Sequence, residues 1–284
     1  MLIRRHTIAS LRAKKDRHEP IVALTAYDYA TAMAVDQSGV DLILVGDSLG
    51  PVVLGYPNTL PVTLDEMLHH AKAVVRGTHR ALVVADMPFM ADATPEAALV
   101  NAGRFMKEAL VQAIKLEGGD EPQLAAIRSL VSRGIPVLAH LGFTPQHVHQ
   151  LGGFKIQGKT PEAADEILQK AIAVEAAGAF ALVLELVPDD VAGRITAELA
   201  IPTIGIGAGP HCDGQIQVFH DLVGLHVDHR PKHAGRYADV HQVLTQAISR
   251  YSKDVRAGQF APGEPSYVAD PAPGAAIDSQ EGIA

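Results

Sequence analysis

Four short apolar runs in this sequence end in a carboxylate: Asp47 closes DLILVGD, Asp86 closes ALVVAD, Glu117 closes AIKLE and Glu185 closes ALVLE. A single aspartate in such a place reads as a helix cap or a turn, because its short side chain accepts from free backbone N–H groups. Glutamate suits that role poorly, and a fourfold repeat asks for a common cause. Neighbouring parallel strands lie about 4.8 Å apart, so carboxylates at the ends of adjacent strands can converge on one ion at about 2.1 Å. Asp47, Asp86 and Glu117 have no Cys or His beside them in sequence, and hard oxygen donors of this kind suit Mg²⁺ better than zinc. Without a cation, three clustered carboxylates repel one another and raise their pKa values.

Lys115 stands two residues before Glu117, on the same side of its strand. A lysine at that depth needs an anionic partner, either these carboxylates or a substrate carboxylate; a purely structural salt bridge is the alternative. Ser48 follows Asp47 and His140 ends VLAH, so each is placed to donate to a ligand oxygen. For His140 a packing role is equally open.

The elements that must position these groups are eight apolar runs starting near residues 21, 41, 81, 111, 135, 180, 201 and 214. Most are separated by segments of helical spacing. In TLDEMLHHAKAVVRG, Thr63 and Glu66 form a capping-box pattern, and Leu64, Met67, Leu68, Ala71 and Val75 trace one face. TPEA at 94 and 160 and TPQH at 144 each pair an N-cap threonine with proline at the first helical position, and Gly178 closes the helix that starts at 161. Strands apolar on both faces, alternating with helices, imply a parallel sheet, and eight units imply closure into a (β/α)8 TIM barrel, with an open doubly wound sheet as the alternative. Little room separates the seventh run from the eighth, so a short turn is expected there. Glu185, on the sixth strand, is then expected roughly across from Asp47, away from the ion and free to act as a base. The connections 48–62 and 142–160 are too long for plain turns and are candidate lids. Gly46 and Gly50 are expected to let the chain turn sharply at Asp47.

The chain of 284 residues carries a formal net charge of −8 and no long Lys/Arg run, which argues against nucleic acid as a partner. Its one cysteine, Cys212, excludes an intrachain disulfide and a cysteine zinc cluster. The first residues lack the apolar core of a signal peptide, and no run of about 20 apolar residues offers a membrane span; a cytoplasmic location is expected. Residues 1–261 read as one barrel domain with an N-terminal helical segment. Residues 262–284, rich in Pro, Gly and Ala with no periodic apolar face, are expected to be disordered. His226, His229 and His233 offer loosely spaced imidazoles that read as a solvated loop in preference to a metal site.

The segments TAYDYATA, LVGDSLG, TLPVTLDEM, ADMPFM, KLEGG, HLGFTPQ, GGFKIQGK, LVLELVP and IPTIGIGAG followed by HCDGQ occur in order over about residues 5–265. Together they resemble the ketopantoate hydroxymethyltransferase family. The resemblance implies a (β/α)8 barrel of the phosphoenolpyruvate/pyruvate superfamily type, assembled as a homodecamer. It implies transfer of a one-carbon unit from the co-substrate 5,10-methylenetetrahydrofolate to 3-methyl-2-oxobutanoate, giving 2-dehydropantoate in pantothenate and coenzyme A biosynthesis. By the same resemblance one Mg²⁺ per subunit falls to Asp47, Asp86 and Glu117, the 2-oxo acid contacts fall to Asp47, Ser48, Asp86 and Lys115, and the proton acceptor falls to Glu185. Leu186 stands where the family often has cysteine, a departure expected to affect only packing. Two rivals remain: a carbon–carbon lyase of the same superfamily acting on a 2-oxo or 2-hydroxy acid without folate, and a noncatalytic metabolite-binding barrel. The run GIGAG at 205–209 fits a phosphate loop and equally a packed turn.

Overall fold

The computed structural model describes residues 5–225, 231 and 234–259. His226, His229, His233 and the tail from 262 lie outside the described residues. Eight parallel strands close in sequence order into a barrel: β1 (Ile21–Thr25), β2 (Leu42–Val45), β3 (Leu82–Asp86), β4 (Ala113–Glu117), β5 (Val137–Gly142), β6 (Ala181–Glu185), β7 (Thr203–Ile206) and β8 (Gly214–Gln217). The first unit ends at Val240 and a second begins at His241. Helices of the first unit are α1 (Ile8–Asp16), α2 (Tyr29–Gln37), α3 (Leu64–Gly77), α4 (Pro95–Arg104), α5 (Glu121–Ser132), α6 (Val148–Leu151), α7 (Pro161–Ala176), α8 (Asp189–Glu198) and α9 (Phe219–Leu222). The helix α10 (Val240–Arg256) begins at the last residue of the first unit and otherwise belongs to the second, and on it Val243, Leu244, Ile248 and Val255 recur at helical spacing.

Alternation along each strand divides the apolar residues between two layers. Leu42, Leu44, Leu82, Val84, Ala113, Leu138, Ala181 and Val183 fill the barrel interior. Ile43, Val45, Val83, Ala85, Ile114, Leu116, Ala139, Leu141, Leu182 and Leu184 pack outward against the helices. Period two therefore fixes which chemistry faces inward: Asp86 shares the parity of Leu82 and Val84, Lys115 and Glu117 that of Ala113, His140 that of Leu138, and Glu185 that of Val183. From α1, Leu11 joins the interior layer, and Lys14–Asp41 and Lys15–Asp213 ion pairs of 2.7 Å hold that helix at the barrel. No helix separates β7 from β8, as the spacing implied.

Helix starts follow the sequence signals with one exception. Thr63 Oγ1 accepts from the Glu66 backbone N–H at 3.2 Å, and Glu66 accepts from the Thr63 N–H at 2.7 Å. Thr94 and Thr160 accept from the N–H groups of Ala97 and Ala163. Thr144 caps nothing; its hydroxyl meets His147 Nδ1 at 3.0 Å, and the chain makes only a 3₁₀ turn, Pro145–His147, before the four-residue α6. A Thr63→Ala substitution is expected to destabilise the protein by about 1 kcal/mol without changing the denaturant slope, as read from urea unfolding. The connection 48–62 is fastened to the same helix, Tyr56 Oη donating to Glu66 at 2.6 Å.

Candidate active site

At the C-terminal mouth of the barrel the four carboxylates and Lys115 come together. Asp86, Glu117 and Glu185 are the last residues of β3, β4 and β6, while Asp47 stands two residues beyond β2, in a turn. Its backbone N–H donates to Asp86 Oδ2 at 3.0 Å. Lys115 Nζ lies 2.9 Å from Asp86 Oδ1 and 3.5 Å from Glu117 Oε1. Asp47, Asp86, Lys115 and Glu117 are all buried. Gly46 and Gly50 do not adopt left-handed backbone here; a side chain at Gly46 would meet Ser48 Oγ at 2.8 Å, and one at Gly50 would meet Val62 at 2.7 Å. Glycine at both positions leaves room for Ser48 and Val62 where the chain turns at Asp47.

Glu185 is less isolated than its strand number suggests. His140 is buried between two carboxylates, with Nδ1 3.2 Å from Glu117 Oε1 and Nε2 3.3 Å from Glu185 Oε2. The imidazole therefore links the β4 cluster to Glu185 and is no mere packing residue. Distance favours ion pairing, yet neither Asp86 Oδ1 nor His140 Nε2 has a well-directed hydrogen-bond partner. Backbone geometry holds Glu185 from both sides. Its carbonyl accepts from Phe143 N–H at 2.7 Å, and a Cβ on Gly142, whose φ is +93°, would lie 2.2 Å from that carbonyl. Leu186 follows with φ +47°, a conformation costing a non-glycine residue about 1–2 kcal/mol. Any non-glycine residue at 186 bears this cost, so the strain belongs to the position beside Glu185 and not to the choice of leucine.

The electrostatics are those of a crowded, water-poor pocket. Burial pushes the Asp47 carboxyl well above the usual range, and the charges of Asp86 and Glu117 push it further. Burial acts the same way on Glu117, but Lys115 and His140 outweigh it and hold that carboxyl well below its ordinary value. For Lys115 burial disfavours the ammonium, and Asp86, Glu117 and Asp47 overcome it, so the lysine stays charged. His140 is disfavoured as a cation by burial and by Lys115, while Glu117 and Glu185 raise it to about 9. Among the described residues, no group of three His, Cys, Asp or Glu side chains is already drawn round one point as ligands of an ion.

Two residues enter the site that the sequence reading had not singled out. Tyr27 Oη lies 2.8 Å from Ser48 Oγ, and burial raises the phenol above its ordinary pKa, so a neutral hydroxyl orients Ser48. Gln146, in the connection after β5, donates its side-chain amide to Asp47 Oδ2 and to the Met87 carbonyl, each at 2.9 Å. Both residues lie inside motifs quoted above, TAYDYATA and HLGFTPQ, but no spacing rule separates a site tyrosine or glutamine from a packed one.

The sequence profile described as ketopantoate hydroxymethyltransferase matches residues 5–263. The chain belongs to the ketopantoate hydroxymethyltransferase family. It is 57% identical over 252 residues to a 3-methyl-2-oxobutanoate hydroxymethyltransferase of Gloeobacter violaceus, covering 88% of this chain and 96% of that protein. To the protein of the same name from Chloroflexus aurantiacus it is 52% identical over 278 residues, 98% of each chain. Among solved structures it resembles a phosphonopyruvate hydrolase in complex with oxalate and Mg²⁺, with TM-score 0.60, 15% identity and 92% of each chain covered. It also resembles 2,3-dimethylmalate lyase, a PEP mutase/isocitrate lyase superfamily member, with TM-score 0.58, 18% identity and 92% and 90% covered. The likeness to these two structures is one of fold, and family membership makes the chain a transferase. Among the described residues no helix is long and apolar enough to cross a membrane.

Proposed function

We propose that this chain transfers the one-carbon unit of 5,10-methylenetetrahydrofolate to 3-methyl-2-oxobutanoate, giving 2-dehydropantoate and tetrahydrofolate. The observation that carries this reading is the gathering of Asp47, Asp86 and Glu117 around Lys115, with Glu185 one imidazole away, in a chain of the hydroxymethyltransferase family. A divalent cation suits these residues by their chemistry: three hard oxygen donors, an Asp47 carboxyl destabilised as an anion by burial and two like charges, and a buried Asp86 Oδ1 without an aligned donor. Asp47, Asp86 and Glu117 would hold Mg²⁺, which supplies Lewis-acid stabilisation of negative charge developing on the substrate's keto oxygen.

The chain's own residues do the rest. Lys115 and Ser48 orient the 2-oxo acid, with Asp47 and Asp86 beside it. Glu185 takes the proton from C3, with the His140 imidazole 3.3 Å from that carboxylate. The carbanion equivalent at C3 forms a bond to the folate's methylene carbon, both bonds from that carbon to folate nitrogens N5 and N10 break, water supplies the hydroxyl oxygen, and the C3 proton and the other water proton end on the two nitrogens of tetrahydrofolate. The connection 142–160 reaches the site through Gln146, and its closure would limit water access to the intermediate. A homodecamer in the cytoplasm belongs to the same reading, and light scattering on the purified protein checks the assembly.

The deciding experiment incubates the protein with Mg²⁺, 5,10-methylenetetrahydrofolate and 3-methyl-2-oxobutanoate and follows 2-dehydropantoate. Formation that depends on all three is expected, and chelation of the metal is expected to stop it. Folate-independent cleavage of a 2-oxo or 2-hydroxy acid in place of that product would establish the lyase instead.

A further inference from the structure

We propose that Gln146 is a positioning residue that ties the 142–160 connection to the acidic cluster, so that ion binding and ordering of that connection are one event. The inference rests on the reading of Asp47 and Glu117 as ion ligands. Its basis is the reach of one buried residue, by backbone and side chain together, across three strand ends. The Gln146 backbone N–H donates to Glu117 Oε2 at 3.0 Å, at the end of β4. Its amide nitrogen donates to Asp47 Oδ2 at 2.9 Å, beyond β2, and to the carbonyl of Met87, which follows β3, also at 2.9 Å.

Chemistry settles which way the amide faces. A carboxylate and a carbonyl both accept, so the –NH₂ group must point at them, and its two hydrogens are both used. Donation to Oδ2 of Asp47 fixes the plane in which the other oxygen is presented. Partners of this kind, one bond removed from an ion, typically change affinity by about 10- to 100-fold when lost.

The second half of the inference comes from where Gln146 lies in the chain. It is the middle residue of the 3₁₀ turn Pro145–His147, which runs directly into α6 and the exposed stretch around Phe154, Lys155 and Lys159. Phe154 packs on Phe143 with ring centroids 4.7 Å apart, so both ends of this stretch return to residues beside the site. An ion drawing Asp47 and Glu117 together must hold Gln146 between them. Linkage makes the relation reciprocal: whatever orders this segment through Gln146 strengthens ion binding by the same factor.

The test measures Mn²⁺ affinity of the full chain by titration calorimetry, for the parent and for Gln146→Met, which keeps the volume and loses both side-chain donors. A tenfold or greater loss of affinity is expected, with Gln146→Glu also weakened because it sets a carboxylate against Asp47. Limited trypsin digestion of the parent after Lys155 and Lys159 needs no variant, and Mn²⁺ is expected to slow it; the slowing is expected to vanish in Gln146→Met. A variant that binds Mn²⁺ within twofold of the parent overturns the inference while leaving the functional reading intact, as does cleavage of the parent that ignores Mn²⁺. A parent that binds no Mn²⁺ fails at the earlier step, the ion reading itself. Loss of affinity in Gln146→Met in a parent without folate-dependent turnover keeps the inference and removes the substrate assignment.

Discussion

A Glu185→Gln variant is expected to lose about 10²- to 10⁴-fold in kcat while KM for 3-methyl-2-oxobutanoate changes little. The substitution keeps the shape of the side chain and removes its capacity to accept a proton. Glu185 is linked to the carboxylate cluster through His140, whose Nε2 lies 3.3 Å from Glu185 Oε2 and whose Nδ1 lies 3.2 Å from Glu117 Oε1. Glutamine can still offer its carbonyl oxygen to that nitrogen, so the fold and the cluster should survive. The decisive readout is exchange of the C3 proton of 3-methyl-2-oxobutanoate into deuterated water, followed by proton NMR without folate. The parent should exchange it and the variant should not. Exchange at the parental rate in the variant would remove Glu185 from the proton-transfer step, whatever happened to overall turnover.

Why Glu185 was legible in the sequence, and Gln146 was not, follows from how each is positioned. A strand has period two, so the residue types ALVLE, AIKLE and ALVVAD fix both the strand and the side on which its last residue falls. Asp86, Lys115, Glu117 and Glu185 therefore face the interior by parity alone, and the barrel order puts the first three on adjacent strands. Gln146 and Tyr27 are placed by loops and by contacts 99 and 21 residues away, where no periodicity operates. The threonine of TPQH imitates a helix cap, but its hydroxyl turns to His147. His140 shows the same limit. Parity pointed it inward, yet only the register pairing Glu117 with His140 and Gly142 with Glu185 shows that it bridges the two carboxylates.

Replacing Lys115 by methionine is expected to abolish turnover and to destabilise the protein by about 3–5 kcal/mol near pH 7. Methionine fills the volume, so the cost is electrostatic. In the parent the ammonium touches Asp86 and Glu117 and pulls the carboxyls of Asp47 and Glu117 downward against burial. Without it three buried carboxylates face one another, with His140 the remaining cation beside Glu117. The pKa values of Asp47 and Glu117, both lowered by Lys115 in the parent, then rise and stand above those in the unfolded chain. A carboxyl raised by folding costs stability above its unfolded pKa of about 4, and the cost disappears as pH falls below that value. The deficit between parent and variant should therefore be widest near neutrality and should shrink as the pH is lowered toward 5. Urea unfolding of both proteins at several pH values measures it. A deficit that is constant with pH, or that widens toward acid, would mean that Lys115 supports the fold by packing and that the carboxylates are balanced by some other charge. The same variant separates stability from catalysis, because loss of the ammonium that holds a substrate carboxylate should lower kcat/KM by about 10²-fold or more even at the pH where the variant is best folded.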